Sequence, residues 1–423
     1  MAVRAGTTQD GPVMTNHRRV GSRAPLNGLA LAVLALLLLP GLVLAADWTK
    51  LERVSSNGGT RLDSLHQAAA SGGLAHVVHP RLGPRKADDR LIYQRSTDDG
   101  KRWSAERTLF KASNRYRQLV PNLAIDARGP MVALAFRVSG PKGHTLFVRV
   151  SRDGGRTFGG RISLYSTRKS TGIGTPAVAI GDDVMAVAWT NRANGEVRFR
   201  ISRNEGKSFR APRTLGKTKL SIDCNAEVTD GLVGIAANGK SVHVAWSNAG
   251  KRQCYANDIK VRTSLDRGSS WSPARTITTR DSFGWPELDA RGKTVIATVQ
   301  STSGAVIVAR SERNGRKWRE KVFAPPTGHI FSAADVTLLP KKRVVLVYVK
   351  ERLRDGKLFT TRVVTRRSPD DGASWNPPKP VTNEAKRLRM APNVVNSRSR
   401  LAILVQSGDL DGKPRHIFAS RLR

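Results

Sequence analysis

Short apolar runs alternate with Gly-, Asn- and Asp-rich turns along most of the chain. Pro176–Ile180 is one such run, Val184–Trp189 a second and Val197–Ile201 a third, with a fourth segment following Phe209. Each is too short for a stable helix and rich in β-branched residues, which predicts strands. Four short strands joined by tight turns make a meander, the unit of a propeller blade. Proline recurs on the first strand of the unit as Pro121, Pro176, Pro286 and Pro392, where a missing N–H is tolerated.

A second pattern lies between the third and fourth strands. Ser is followed by an acid or amide two residues on, Gly four on and an aromatic seven on. Ser96-Asp98-Gly100-Trp103, Ser151-Asp153-Gly155-Phe158, Ser202-Asn204-Gly206-Phe209, Ser264-Asp266-Gly268-Trp271 and Ser368-Asp370-Gly372-Trp375 all fit. Ser311-Gly315-Trp318 fits with Arg313 in place of the acid. Gly supplies a positive φ, the carboxylate accepts turn N–H groups and the aromatic covers the hairpin base. Asp98, Asp153, Asn204, Asp266 and Asp370 are therefore expected to be structural rather than catalytic or metal-binding.

The box serines recur every 47 to 62 residues, and self-similarity at that period predicts a ring of blades. Six units run from about Arg61 to Thr382. A seventh starts at Pro392 with strands at Val394-Val395, Leu401–Val405 and His416–Ser420, then stops without a box or fourth strand. Trp48–Val54 resembles the missing strand. The expectation is an all-β, seven-bladed β-propeller of four-stranded antiparallel blades. Its ring would be closed by residues 48–54 pairing beside 415–420, with about 54 residues per blade over 46–423.

The boxes resemble those of the Asp-box (BNR-repeat) propellers of the sialidase superfamily, over essentially the whole of 46–423. Sialidases have six blades, and fold alone does not give activity. The resemblance implies an Arg on the first inner strand, matched by Arg61 in Arg61-Leu62-Asp63. It implies a second Arg followed by an acid, matched by Arg81 and Asp88 or Asp89. Phe331 stands where the family's nucleophilic Tyr would be, and Phe cannot attack. A third Arg and the Glu that activates the Tyr have no match. If the chain were a hydrolase, Arg61, Arg81 and Asp88 would be its catalytic candidates. Near the inner-strand starts, Asn122, Trp285, Glu287, Phe331, Asp335 and Asn393 are candidate ligand-binding residues.

Residues 1–45 carry Arg18, Arg19 and Arg23 before an apolar Leu29–Leu44, with Val43-Leu44-Ala45 as a cleavage signal. They read as a signal peptide, with an uncleaved anchor the alternative and Met14 a possible start. Export makes a Cys224–Cys254 disulfide the expectation. Gly234–Ser241 fits the P-loop pattern but sits between strands rather than before a helix, which argues against nucleotide. His76 and His79 would face opposite sides of a strand, so no metal site or cofactor is expected.

Lys plus Arg is 72 against 33 acids, a net of +39, and about +36 without residues 1–45. Such an excess favours anionic partners, while no motif for sequence-specific nucleic-acid reading is present. The reading is an exported, monomeric, non-enzymatic binder of glycans, anionic polymers or a protein partner. The alternative is a sialidase-like exo-glycosidase with an altered site.

Overall fold

The computed structural model describes residues 48–422 apart from 57–65, 84, 86, 87, 114–117, 169–171, 219–231, 250–256, 398, 399 and 410–415. The side chains of 118–122, 249, 257, 279–281, 283, 284 and 409 also lie outside the described residues. The chain folds as seven four-stranded antiparallel blades. Blades 1 to 4 begin with inner strands Gln67–Ser71, Gln118–Arg128, Ala177–Ile180 and Val233–Asn238. Blades 6 and 7 begin with His329–Leu338 and Arg387–Ser397. Between them, one 17-residue strand, Arg275–Arg291, is at once the outer strand of blade 4 and the inner strand of blade 5.

The ring closes as the sequence predicts. Glu52 and Arg53 pair with Ala419 and Phe418, outside His416–Arg421, Arg400–Asp409 and Arg387–Ser397. Trp48 bridges to Leu422. Its indole is buried with Val347, Val363, Leu401 and Ile403, between blades 6 and 7. The N-terminal strand thereby covers the edge that His416–Arg421 would otherwise leave open.

The second strands explain why apolar runs are continuous rather than alternating. All seven residues of Met185–Asn191 are buried, because a middle strand is covered by a neighbouring blade on each face. The apolar clusters accordingly lie between blades. One packs Val78, Leu91 and Tyr93 of blade 1 against Leu134 and Phe136 of blade 2. The prolines at inner-strand starts fall at irregularities in pairing. Register slips between Leu119 and Leu123, Phe283 and Glu287, and Met390 and Asn393, around Pro121, Pro286 and Pro392.

The boxes are structural hairpins. In each of the six, the Ser hydroxyl accepts the Gly N–H, as at Ser151–Gly155 (2.8 Å) and Ser311–Gly315 (3.0 Å). In five of them the serine in turn donates to the Asp or Asn two residues on, and Asp153 accepts the Thr157 N–H at 2.9 Å. The turn needs two consecutive positive φ values, not one: Glu205 (57°) precedes Gly206 (72°), and Arg267 (59°) precedes Gly268 (75°).

Some of the excess positive charge is also structural. Two residues before the box serine, Arg149, Arg200 and Arg262 point between blades. Each caps carbonyls of its own box and of the preceding blade's outer strand, at Leu109, Leu164 and Leu215. Gln94 does the same for Val54 across the ring closure, at 3.0 Å. Five donors in a fork suit Arg to carbonyls with no other partner.

Candidate functional site

The inner strands of all seven blades line an axial cavity of about 1640 Å³. The strand starts, on the face opposite the boxes, bring Trp285, Glu287, Asp335 and Asn393 to its wall, together with Gln300, Ser332, Glu351 and Arg389. Trp285 is 41% exposed, one of two large hydrophobic side chains so exposed among the described residues. Pro286 and the slipped register beside it keep this stretch from pairing regularly.

Glu287 and Asp335 interact. Burial raises both carboxyls well above the usual range, and the charge of Asp335 raises Glu287 further. Two such groups on one wall do not both ionise easily, so near neutral pH the pair retains a proton. Asp335 is tied to the fold: it accepts the N–H groups of Val336 (2.8 Å) and of Val394 in blade 7 (2.9 Å), and the Asn393 amide at 3.5 Å. The Asn393 side-chain Oδ1 is buried without a hydrogen-bond partner among the described residues. Glu351 accepts a hydrogen bond from the Ser332 hydroxyl, and burial raises its carboxyl. At the register slips of blades 6 and 7, Ala333 and Ala391 adopt φ of 48° and 43°, a conformation costly for a residue with a Cβ.

Two wall residues were missed in the sequence. Asp126 accepts the N–H groups of Ala127 (2.8 Å) and of Ile180 in blade 3 (2.7 Å). Asp289 accepts those of Ala290 (2.7 Å) and of Leu338 in blade 6 (2.7 Å). Burial raises them to about 7 and about 6 against the bonds that oppose it. The signal was available: Asp-Ala-Arg occurs at both 126–128 and 289–291.

Among the described residues suggested by the family resemblance, Arg81, Asp88 and Phe331 do not meet at the cavity. Arg81 forms a two-pronged pair with Glu106 at 2.7 and 2.8 Å. Asp88 pairs with Arg85 at 3.1 Å, which lowers its carboxyl pKa. Neither lines the cavity. Phe331 does not line it either; its ring packs 4.7 Å from that of Tyr348 in the apolar cluster between blades 5 and 6. It points away because it occupies the opposite face of the strand from Ser332. Arg61, Cys224 and Cys254 lie outside the described residues, as does the side chain of Asn122.

The fold is similar to that of sialidases and sialidase-like propellers. An endosialidase of phage phi92 matches with a TM-score of 0.52 at 11% identity, over 89% of this chain and 69% of that one. An ulvan lyase of polysaccharide lyase family PL25, solved bound to -[GlcA(1-4)Rha3S]-, matches with a TM-score of 0.53 at 12% identity, over 83% and 90%. The NanB sialidase from Streptococcus pneumoniae matches with a TM-score of 0.48 at 12% identity, over 89% and 70%. No protein-family model and no curated protein matches the chain.

Proposed function

We propose that this chain is an exported carbohydrate-binding propeller whose site is the cavity mouth opposite the boxes. The observation that carries the reading is Trp285. Trp285 sets a half-exposed indole face at the rim of a polar cavity, the arrangement of one aromatic among convergent polar groups that small-molecule sites use. A sugar ring offers C–H groups to an aromatic face and hydroxyls to its surroundings. Glu287, Gln300 and Asn393 supply acceptors and donors for those hydroxyls. Relatives of the fold that act on polysaccharides agree with this ligand class.

Recognition is favoured over turnover because Asp335 is held by backbone N–H groups of two blades, in the same manner as Asp289. Glu287 favours a second reading. No hydrogen bond to its carboxyl is formed among the described residues, and its raised pKa suits a general acid for glycosidic cleavage.

The test is a glycan array of neutral and acidic oligosaccharides probed with residues 46–423 and with Trp285→Ala. Binding that drops about tenfold or more in the variant is expected, from the loss of one stacked aromatic. Equal binding by the two proteins, or none by folded wild type, would remove the reading.

A further inference from the structure

Several arginines between the blades are committed to carbonyls, as Arg149, Arg200 and Arg262 are, whereas the basic side chains at one hairpin end are not. The second and third strands of blade 6, Val344–Arg354 and Lys357–Ser368, form a long hairpin beside the strand entering blade 7. At its end the charges of Arg352, Arg354 and Lys386 lie 6.0, 5.5 and 5.0 Å from the centre of the single ring of Phe359. Across the hairpin Lys350 stands opposite Arg362, and Arg354 opposite Lys357. Like charges in facing positions disfavour a hairpin. Arg352, Arg354, Lys357 and Lys386 are exposed and form no ion pair among the described residues.

Two further observations point to an absent anion. The Nε atoms of Arg362 and Arg389 are buried without a hydrogen-bond partner among the described residues, while Arg389 donates its Nη1 to the carbonyls of Thr361 and Asn383 at 2.7 Å. The nearby Glu384 is occupied: it accepts a hydrogen bond from Thr360, and this, with the charges of Arg362, Arg352 and Lys350, holds its carboxyl below the usual range. Glu384 and Asp355, the latter at the hairpin tip between Arg354 and Lys357, are two carboxylates against six cations, Lys350, Arg352, Arg354, Lys357, Arg362 and Lys386. The cluster also borders the proposed sugar site, since Glu351, Leu358, Leu388 and Arg389 line the axial cavity.

We propose that this hairpin is an anion subsite and that the ligand of the cavity is an acidic polysaccharide. A sugar unit lies at Trp285 while sulfate or carboxylate groups of neighbouring units lie against the Phe359 cluster. This rests on the carbohydrate reading above and adds the ligand's charge and direction. The guanidinium groups suit oxyanions of this kind, which accept two parallel N–H bonds.

The test measures binding of dextran sulfate to residues 46–423 at low and moderate salt. The variants are Arg352→Gln/Arg354→Gln/Lys386→Gln, the charge-matched control Lys101→Gln/Lys207→Gln/Arg316→Gln from exposed box turns, and Trp285→Ala. The hairpin triple is expected to lose about tenfold in affinity at about 0.1 M salt, and the control about twofold or less. The triple should also melt no lower than wild type, because it removes repulsion. Equal losses in both triples would overturn the subsite and leave only diffuse charge. A hairpin loss without any effect of Trp285→Ala would keep an anion site but overturn its link to the sugar site. A Trp285→Ala loss without a hairpin loss would overturn the subsite and leave the sugar site standing.

Discussion

Asp126 of blade 2 accepts the backbone N–H of Ile180 in blade 3 at 2.7 Å, so one carboxyl ties two inner strands together. Asp289 ties blade 5 to blade 6, and Asp335 ties blade 6 to blade 7, in the same way. Inner strands of adjacent blades share no ladder, and these side chains satisfy N–H groups that face the cavity instead.

Asp126→Ala should destabilise the ring by about 1–3 kcal/mol, because the N–H groups of Ala127 and Ile180 lose their acceptors. The penalty should depend on pH. The native carboxyl is raised to about 7, above its unfolded value, so its contribution is full below about pH 4 and declines as pH rises through 7. The difference between wild type and variant in urea should therefore be larger at pH 5 than at pH 8. The comparison must be a difference. Burial lowers His76 and His243 to about 4, so their contribution is full above pH 6.5 and is lost as pH falls through 4. A difference that grows with pH would mean that Asp126 is ionised in the native state.

The boxes give a prediction of both signs. Arg313 is the one box position unable to accept the turn N–H, so Arg313→Asp should gain about 0.5–1 kcal/mol. Glu205 is exposed with φ of 57°, and Glu205→Gly should gain up to about 1 kcal/mol by relieving that strain. Gly206→Ala should lose more than either gains, since its Cβ would meet Val150 at 2.7 Å. Thermal melts of the three variants check the order; a stabilised Gly206→Ala would be incompatible with the geometry described.

Ring closure predicts that Trp48→Ala costs about 3–5 kcal/mol, as for other buried aromatics. Because Trp48 packs on blade 6 and bridges blade 7, the loss should appear in a single cooperative transition. Early, separate melting of the terminal strand alone would contradict a load shared by the ring.

The architecture was legible because blades are local. Each box, meander and apolar run sits within one period, so spacing alone locates them. The missing fourth strand of blade 7 even pointed to Trp48–Val54. The cavity was legible only in part. Trp285, Glu287, Asp335 and Asn393 were found because strand starts face the axis. Phe331 was misread as a cavity residue by local pattern, although a one-residue shift turns a side chain to the other sheet face. The roles of Asp126 and Asp289 depend on contacts with the next blade, which no single period contains. Net charge was the least informative feature, since it does not separate Arg200, bound to carbonyls, from Arg352, exposed at a hairpin tip.

Purified residues 46–423 should not hydrolyse a fluorogenic sialoside. That reaction develops positive charge at the anomeric carbon, and the family resemblance implies that a Tyr, activated by Glu, attacks there while arginines hold the substrate carboxylate. Here Phe331 is buried against Tyr348, and the Tyr348 hydroxyl accepts a hydrogen bond from Arg366 at 3.2 Å. Burial raises the Tyr348 phenol, which weakens it as a nucleophile. Arg81 is neutralised by Glu106, and Asp88 by Arg85. Glu287 remains as an acid, and Asp335, its partner on the wall, is pinned by two N–H groups rather than free to attack. Turnover above background that falls at least about a hundredfold in Glu287→Gln, within the usual range for loss of a general acid, would reverse this conclusion and make Glu287 a catalytic acid. Retained binding of an oligosaccharide without turnover, weakened by Trp285→Ala and little changed by Glu287→Gln, is the expected result.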